Sequence, residues 1–422
     1  MRRNITIGIY GIASQSGMAY FADVSQKGYH IVGYNRPSSH GNATIQTIID
    51  QGGVFLERPE NSNHEQSRFI PLEDNVVTSD LSVLVDTSDI IIIALPSIYQ
   101  QGAVQYMAEE GLRERNIPIL LSPSRTFASP YLWRVLGDHY PIVCFSTCPY
   151  SCKVPQIGTS LIKRRKRTWV ASIEGCFQEE HRQIIKELFP QAALTRIPAL
   201  TSLNNIGAVF HCATYVLNYE EIVRRQSAGL TFSFYMEGIA QRPEVGEVLY
   251  QIDQIRLSIA AKLGLNIFGL KEKPREDVWR KLTNGLRALE AENEDDIEIL
   301  RSIRKQFMQY LNNSILSAPH WLDITYGVVR DPNESFSETI GRTPTYQKNS
   351  VPQLRYLTED VPTGLVPFEA LAKQMGVECQ VISRIIDKCN TILNKDMRQC
   401  GRNLEPFTEQ QIIDYLKGNN FI

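Results

Sequence analysis

Near the end of the chain, Arg355-Tyr-Leu-Thr-Glu359-Asp360-Val-Pro-Thr-Gly-Leu-Val-Pro367 sets a guanidinium four and five residues before two adjacent carboxylates, just ahead of a Pro-Gly turn. A guanidinium grips a carboxylate through two parallel hydrogen bonds. A carboxylate on a structured turn can hold a histidine ring in one tautomer. The segment thus has the parts to bind an acid and to prime a proton donor; the plainer alternative is a salt-bridged turn of little energetic weight. A histidine to be primed stands at His211, in Thr201-Ser-Leu-Asn204-Asn205-Ile-Gly-Ala-Val-Phe-His211. A lone histidine among apolar residues is most often a satisfied core side chain, but imidazole also donates and accepts protons near neutral pH.

Those side chains need a scaffold. Residues 5–9 read as a short apolar strand running into Tyr10-Gly11-Ile-Ala13-Ser-Gln15-Ser-Gly17, which turns and opens a helix. Glycines in such a turn let the backbone approach a pyrophosphate lying on the positive end of the helix. The spacing Gly8-x-Tyr10-x-x-Ala13 is a degenerate form of that pattern, with Tyr10 where a middle glycine usually stands. The second strand, Tyr29–Tyr34, ends in Asn35-Arg36-Pro-Ser38-Ser39 without an acid. An acid there reads a free ribose 2′-hydroxyl, whereas a guanidinium with two hydroxyls suits a 2′-phosphate, so the segment favours NADPH over NADH. A solvated turn arginine is the alternative. Asp89-Ile-Ile-Ile-Ile-Ala94 has the continuous apolar character of a central parallel strand, and Leu95-Pro96-Ser97 closes it where such sheets border the nicotinamide. A helix over Gln101–Arg113, strands over Ile117–Leu121, Pro141–Phe145, Thr168–Ile173 and Leu194–Ile197, and a helix over Gln178–Leu188 give a doubly wound α/β alternation. That first domain ends near Pro198.

Beyond it the periodicity becomes helical. Val245, Val248, Leu249, Ile252, Ile255 and Ile259 recur on one face, helices are predicted over Val278–Leu289 and Asp295–Leu311, and Pro367 and Gly376 bracket another. A stripe from Val381 to Leu393 and a short helix over Gln410–Leu416 follow. The expected organisation is a nucleotide-binding domain over 1–198 and a mostly helical substrate and catalytic domain over 199–422. At 422 residues the chain is too long for one ordinary core, which agrees.

The charge balance of -2 gives no reason to expect nucleic acid or an anionic membrane. The run Lys163–Arg167 reads as a solvated lead-in to a strand, since no aromatics interleave it. No apolar run reaches spanning length and no signal peptide opens the chain, so a cytoplasmic protein is expected. The eight cysteines show no zinc spacing, so neither disulfides nor a metal site is expected; Cys148 and Cys152 read as reduced loop thiols.

The Arg355–Pro367 segment, with Leu371-Ala and Gly376-Val377 after it, resembles the signature of the octopine/opine dehydrogenases. In detail the chain is most similar to the bacterial opine metallophore dehydrogenases of staphylopine or pseudopaline type, through Asp89–Pro96 with Tyr99 and through Ile340-Gly-Arg342-Thr-Pro-Thr-Tyr346-Gln347. The resemblance implies a Rossmann-type doubly wound parallel sheet followed by a mostly α-helical opine dehydrogenase domain. It also implies a homodimer that joins an amine donor to a 2-oxo acid, with NADPH as reductant. It makes His211 and Asp360 the proton-transfer pair, Arg355 the oxo-acid clamp, and Arg342 and Tyr346 contacts to the second substrate. Competing readings are a hydroxy-acid or alcohol dehydrogenase, whose usual catalytic lysine is missing from Asn204–Asn218, and a non-catalytic NADPH sensor.

Overall fold

The computed structural model describes residues 5–59, 66–268, 280–285, 313–348 and 350–419, with isolated positions between 299 and 309. Among the described residues the first half contains twelve strands: β1 (Thr6–Tyr10), β2 (His30–Tyr34), β3 (Gly53–Glu57), β4 (Arg68–Pro71), β5 (Val76–Thr78), β6 (Ile90–Ile93), β7 (Ile119–Leu121), β8 (Ile142–Phe145), β9 (Tyr150–Lys153), β10 (Thr159–Arg165), β11 (Trp169–Glu174) and β12 (Ala192–Thr195). Eight form one sheet in the order β12-β11-β8-β7-β6-β1-β2-β5. From β5 to β8 all pairs are parallel, and β11 then joins β8 antiparallel. The strand order reverses between β1 and β6, and in such sheets ligands bind in the crevice beyond the strand ends at that point.

Alternate residues of one strand feed different cores. Ile90 and Ile92 pack with Ile7, Ile9 and Leu120 on one face, while Ile91 and Ile93 pack with Ile119 and Leu121 on the other. Both faces are covered, which is why β6 is apolar at every position. The second face shares its core with the helical half, through Val209, Phe210, Leu249, Phe368 and Ile385.

Helices Ile206–Leu217, Pro243–Lys262, Val366–Gln374 and Gln380–Leu393 build that half. A fully buried ion pair fixes the entry to the His211 helix. Arg256 Nη2 lies 2.5 Å from Asp253 Oδ1, and Arg256 Nη1 donates to Leu203 O at 2.6 Å. Asp253 Oδ2 accepts from Ala318 N at 2.8 Å. Losing one member of such a pair strands the other charge and costs about 3–5 kcal/mol.

The last strand of the large sheet, β12, ends at Thr195, and the next helix begins at Ala199. The tail then returns to the first half: Tyr415, in helix Glu409–Lys417, donates to Glu174 at the end of β11 at 2.8 Å. A second sheet has the order β4-β3-β10-β9; the sequence pattern predicts short strands over Val54–Glu57 and Phe69–Ile70, where β3 and β4 lie, but neither β9 nor β10. Lys163–Arg165 lies inside β10, not ahead of a strand, and Cys152 lies on β9, not in a loop. β10 (Thr-Ser-Leu-Ile-Lys-Arg-Arg) has no continuous apolar run to announce it. The helices predicted over Val278–Leu289 and Asp295–Leu311 fall largely outside the described residues. Among the described residues no helix is long and apolar enough to cross a membrane.

Candidate active site

The nucleotide turn is set three residues later than the Gly8 spacing implies. β1 runs through Tyr10, and Gly11 turns the chain at a φ of +94°, where a side chain would be strained. The helix starts at Gln15, capped by Ser14, whose Oγ accepts from Gly17 N at 2.9 Å and donates to Ala94 O at 2.8 Å. A Cβ on Gly17 would fall 2.1 Å from Gly11 O. The working frame is therefore Gly11-x-Ala13, with Gly17 permitting the close helix packing. Gly8 sits mid-strand, where a Cβ would meet Ser88 Oγ at 2.4 Å, and the Tyr10 ring is buried edge-on against Tyr34. Neither lines the turn.

At the end of β2, Ala13 N donates to Asn35 Oδ1 at 3.4 Å, tying that strand end to the turn. Arg36 is exposed and forms no ion pair with a described residue. Ser38 Oγ caps helix Ser39–Gln51 by accepting from Gly41 N. Leu95 packs beside Gly11, and Pro96 precedes the helix that opens at Ser97. Backbone donors at Gln15 and a cation beside Asn35 are groups that suit a dinucleotide with a 2′-phosphate.

The second half of the site comes from three distant segments. His211 Nδ1 lies 2.7 Å from Asp360 Oδ2, and Arg125 Nη2 lies 2.8 Å from Asp360 Oδ1. Asp360 is buried, its side chain 2% exposed, while His211 keeps 18%. An ionised carboxylate can only accept, so Nδ1 carries the proton toward Asp360 and Nε2 faces outward. There Nε2 lies 3.2 Å from the Tyr235 hydroxyl. The imidazole stacks on Tyr356 at 4.1 Å between centroids and 21° between planes, which fixes its tilt.

Two glycines allow this approach. A Cβ on Gly364 would sit 2.6 Å from the Cβ of Ala208, one turn before His211, so only glycine lets the turn after Asp360 reach that helix. A Cβ on Gly207 would meet Arg125 Nη1 at 2.8 Å. Glu359, next to Asp360, accepts from Ser97 N at 3.0 Å and from Ser97 Oγ at 3.1 Å, and lies 3.6 Å from Arg125 Nε. This joins the helical half to the carboxyl end of β6.

Burial pushes the Asp360 carboxyl up, but the Arg125 guanidinium and the His211 hydrogen bond more than offset it, so it lies below the usual carboxylate range. Burial works against the charge of Arg125, yet Asp360 and Glu359 together hold it firmly protonated. Burial pushes the Tyr235 hydroxyl well up, which keeps it neutral beside the imidazole.

Other expected site residues lie elsewhere. Arg355 is exposed, donating to Gln353 Oε1 at 2.6 Å, with its Cζ 5.8 Å from the Tyr356 ring centre; its charge reaches Asp360 without touching it. Arg342 is not open to a substrate as expected: its fork is taken by Glu334, at 2.5 and 2.6 Å, and by Val329 O at 2.8 Å. Tyr346 is also corrected. It is buried and stacks behind Tyr235 at 3.9 Å, so it supports the hydroxyl that faces His211 rather than facing a ligand itself. Arg125, Tyr235 and Ser97 were not identified from the sequence. The available signal for Arg125 was its place just after a central strand, at the crevice side of the sheet.

Residues 199–393 match the family model described as the alpha-helical domain of NAD/NADP octopine/nopaline dehydrogenase. An opine dehydrogenase from Arthrobacter sp. (strain 1C) is 23% identical over 408 residues, 95% of this chain and 94% of that protein. Octopine dehydrogenase, solved with NADH and L-arginine, shares the fold with a TM-score of 0.66 at 15% identity, over 98% of this chain and 97% of that one. Yersinopine dehydrogenase bound to NADP+ does so with a TM-score of 0.56 at 13% identity, over 99% of this chain and 98% of that one. Residues 199–393 therefore match an opine dehydrogenase helical domain, and the chain as a whole shares the length and fold of opine dehydrogenases, which are NAD(P)H-dependent oxidoreductases that act on CH–NH groups.

Proposed function

We propose that the protein condenses the primary amine of an amino-acid-like donor with a 2-oxo acid, pyruvate or 2-oxoglutarate, and reduces the imine to a secondary-amine opine. The observation that carries this reading is the His211 Nδ1 to Asp360 Oδ2 contact of 2.7 Å, joined through Glu359 and Ser97 to the end of β6. Octopine dehydrogenase has been solved with L-arginine, agmatine or pyruvate, which supports an amine and an oxo acid as the two substrates. When bound, NADPH supplies the hydride. Arg36 with Ser38 and Ser39 would hold the 2′-phosphate, and Gly11–Ser14 the pyrophosphate.

His211 would take up at Nε2 the proton released by the attacking amine and pass it to the oxygen that leaves as water during imine formation. Asp360 would keep the opposite nitrogen protonated and stabilise the imidazolium, while Tyr235 holds the reactive nitrogen in line. Arg355, exposed and without a carboxylate partner among the described residues, would clamp the oxo-acid carboxylate. Arg125 cannot, because its fork is turned to Asp360. Orienting both substrates in this way is worth on the order of 7–11 kcal/mol in an ideal case. Along the resemblance at Asp89–Pro96 the product is an opine of metallophore type, made by a cytoplasmic homodimer.

NADPH oxidation, followed by the loss of the reduced ring's absorbance, should require amine and oxo acid together. Oxidation with the oxo acid alone would mark a hydroxy-acid dehydrogenase, and none with any pair would mark a binding protein. His211→Ala should lower turnover by roughly 10²–10⁴ with NADPH affinity unchanged; near-normal turnover would remove the imidazole from the mechanism. Arg36→Ala should lower the NADPH-to-NADH ratio of kcat/KM, and an unaltered ratio would show that another group reads the phosphate.

A further inference from the structure

Arg402 lies beyond the matched helical domain, in the tail that returns to the sheet. It is half-buried and forms no ion pair with a described carboxylate, yet its donors are fully directed. Nη1 donates to Ser124 O at 2.9 Å and to Thr126 O at 2.7 Å, and Nη2 reaches Ser97 O at 3.5 Å. Its backbone N–H donates to Pro362 O at 2.9 Å. One residue therefore touches the loop that carries Arg125, the helix start that binds Glu359, and the turn that follows Asp360.

The two carbonyls held by Nη1 flank Arg125, whose φ of +62° places it in the left-handed region. That conformation is unfavourable for a residue with a Cβ by roughly 1–2 kcal/mol. It persists where surrounding groups over-determine it. Other bonds hold each end of this loop to a different element: Ser124 N donates to Phe145 O of the sheet at 3.0 Å, while Thr126 N donates to Thr363 O at 3.2 Å and Thr126 Oγ1 to Ser202 O at 2.9 Å. Holding both carbonyls with one terminal nitrogen fixes the 124–125 peptide unit directly before Arg125 and the 126–127 unit just beyond it, which pins the loop on either side of the Arg125 Cα.

We propose that Arg402 is a positioning residue: it locks the Arg125 loop to the Asp360 turn, and so holds the Arg125–Asp360–His211 array in register. The role rests on the function proposed above, and it acts through Arg125 rather than on substrate. A lysine in its place could offer one ammonium to both carbonyls but has no second nitrogen for Ser97 O and no planar guanidinium to fix the approach.

Arg402→Met, Arg402→Lys, Arg125→Met and the Arg125→Met/Arg402→Met pair test this. Arg402→Met should lower kcat by about 10- to 100-fold with little change in NADPH KM, and Arg402→Lys should recover part of the loss. In the Arg125→Met background, Arg402→Met should cost less than about 3-fold more, because both act on one array. A full additional loss there, or an unchanged kcat in the single variant, overturns the proposal. If the methionine variant is unstable, the lysine variant enters the same comparison. A second readout does not need turnover. With the Arg125 guanidinium displaced from Asp360, the NMR resonance of the His211 Nδ1–H proton should move in both single variants. No movement in Arg402→Met while Arg125→Met shows one also overturns it. If the wild type oxidises no NADPH with any amine and oxo acid, the functional reading falls, and the NMR comparison still decides the positioning role.

Discussion

The structure depends on one buried carboxylate. Asp360 lies between a guanidinium from residue 125 and an imidazole from residue 211, and burying it without both would be expensive. Arg125 takes one carboxylate oxygen, Oδ1, and the other, Oδ2, is left to the Nδ1 of His211, so the carboxylate fixes both the guanidinium and the ring. The stack on Tyr356 then limits the ring to one plane, and the Tyr235 hydroxyl marks where its free nitrogen points.

The same cluster couples the halves of the molecule. Glu359 holds Ser97 at the crevice end of β6, and Ser14 of the nucleotide turn bonds Ala94 just before it. The proton-transfer pair and the dinucleotide turn are therefore tied to the same strand end, at the point where the strand order reverses. Because one face of the sheet shares its apolar core with the helical half, that relation is set by packing as well as by polar contacts.

Much of this was legible in the sequence because it rests on periodicity and on residue types with few uses. The tetra-isoleucine run could only be a central strand, and the stripe of Val245–Ile259 only a helix. A histidine after the nucleotide half and an acidic pair before a Pro-Gly turn were separately weak, but imply each other once both halves face one crevice. What was not legible is contact chemistry. Arg125 looked like any loop arginine, since nothing in Ser-Pro-Ser-Arg reveals that its backbone is left-handed and its fork points inward. Arg342 resembled a substrate arginine until the fold brought Glu334 to it. The Gly8 frame failed because glycine in a strand and glycine in a turn look alike in sequence, and only the three-residue offset of the turn separates them. Strands β9 and β10 of the second sheet escaped because their runs are largely polar.

The most direct test of the central claim follows the transferred hydrogen. NADPH carrying deuterium at the transferring position of the ring is incubated with the enzyme, a 2-oxo acid and an amino acid, and the products are analysed by mass spectrometry and NMR. The account predicts a secondary amine with one deuterium on the former carbonyl carbon, formed with loss of one water and sharply reduced when Asp360 is replaced by Asn. Deuterium found instead in a 2-hydroxy acid, or amine product formed equally well without the Asp360 carboxylate, would contradict it.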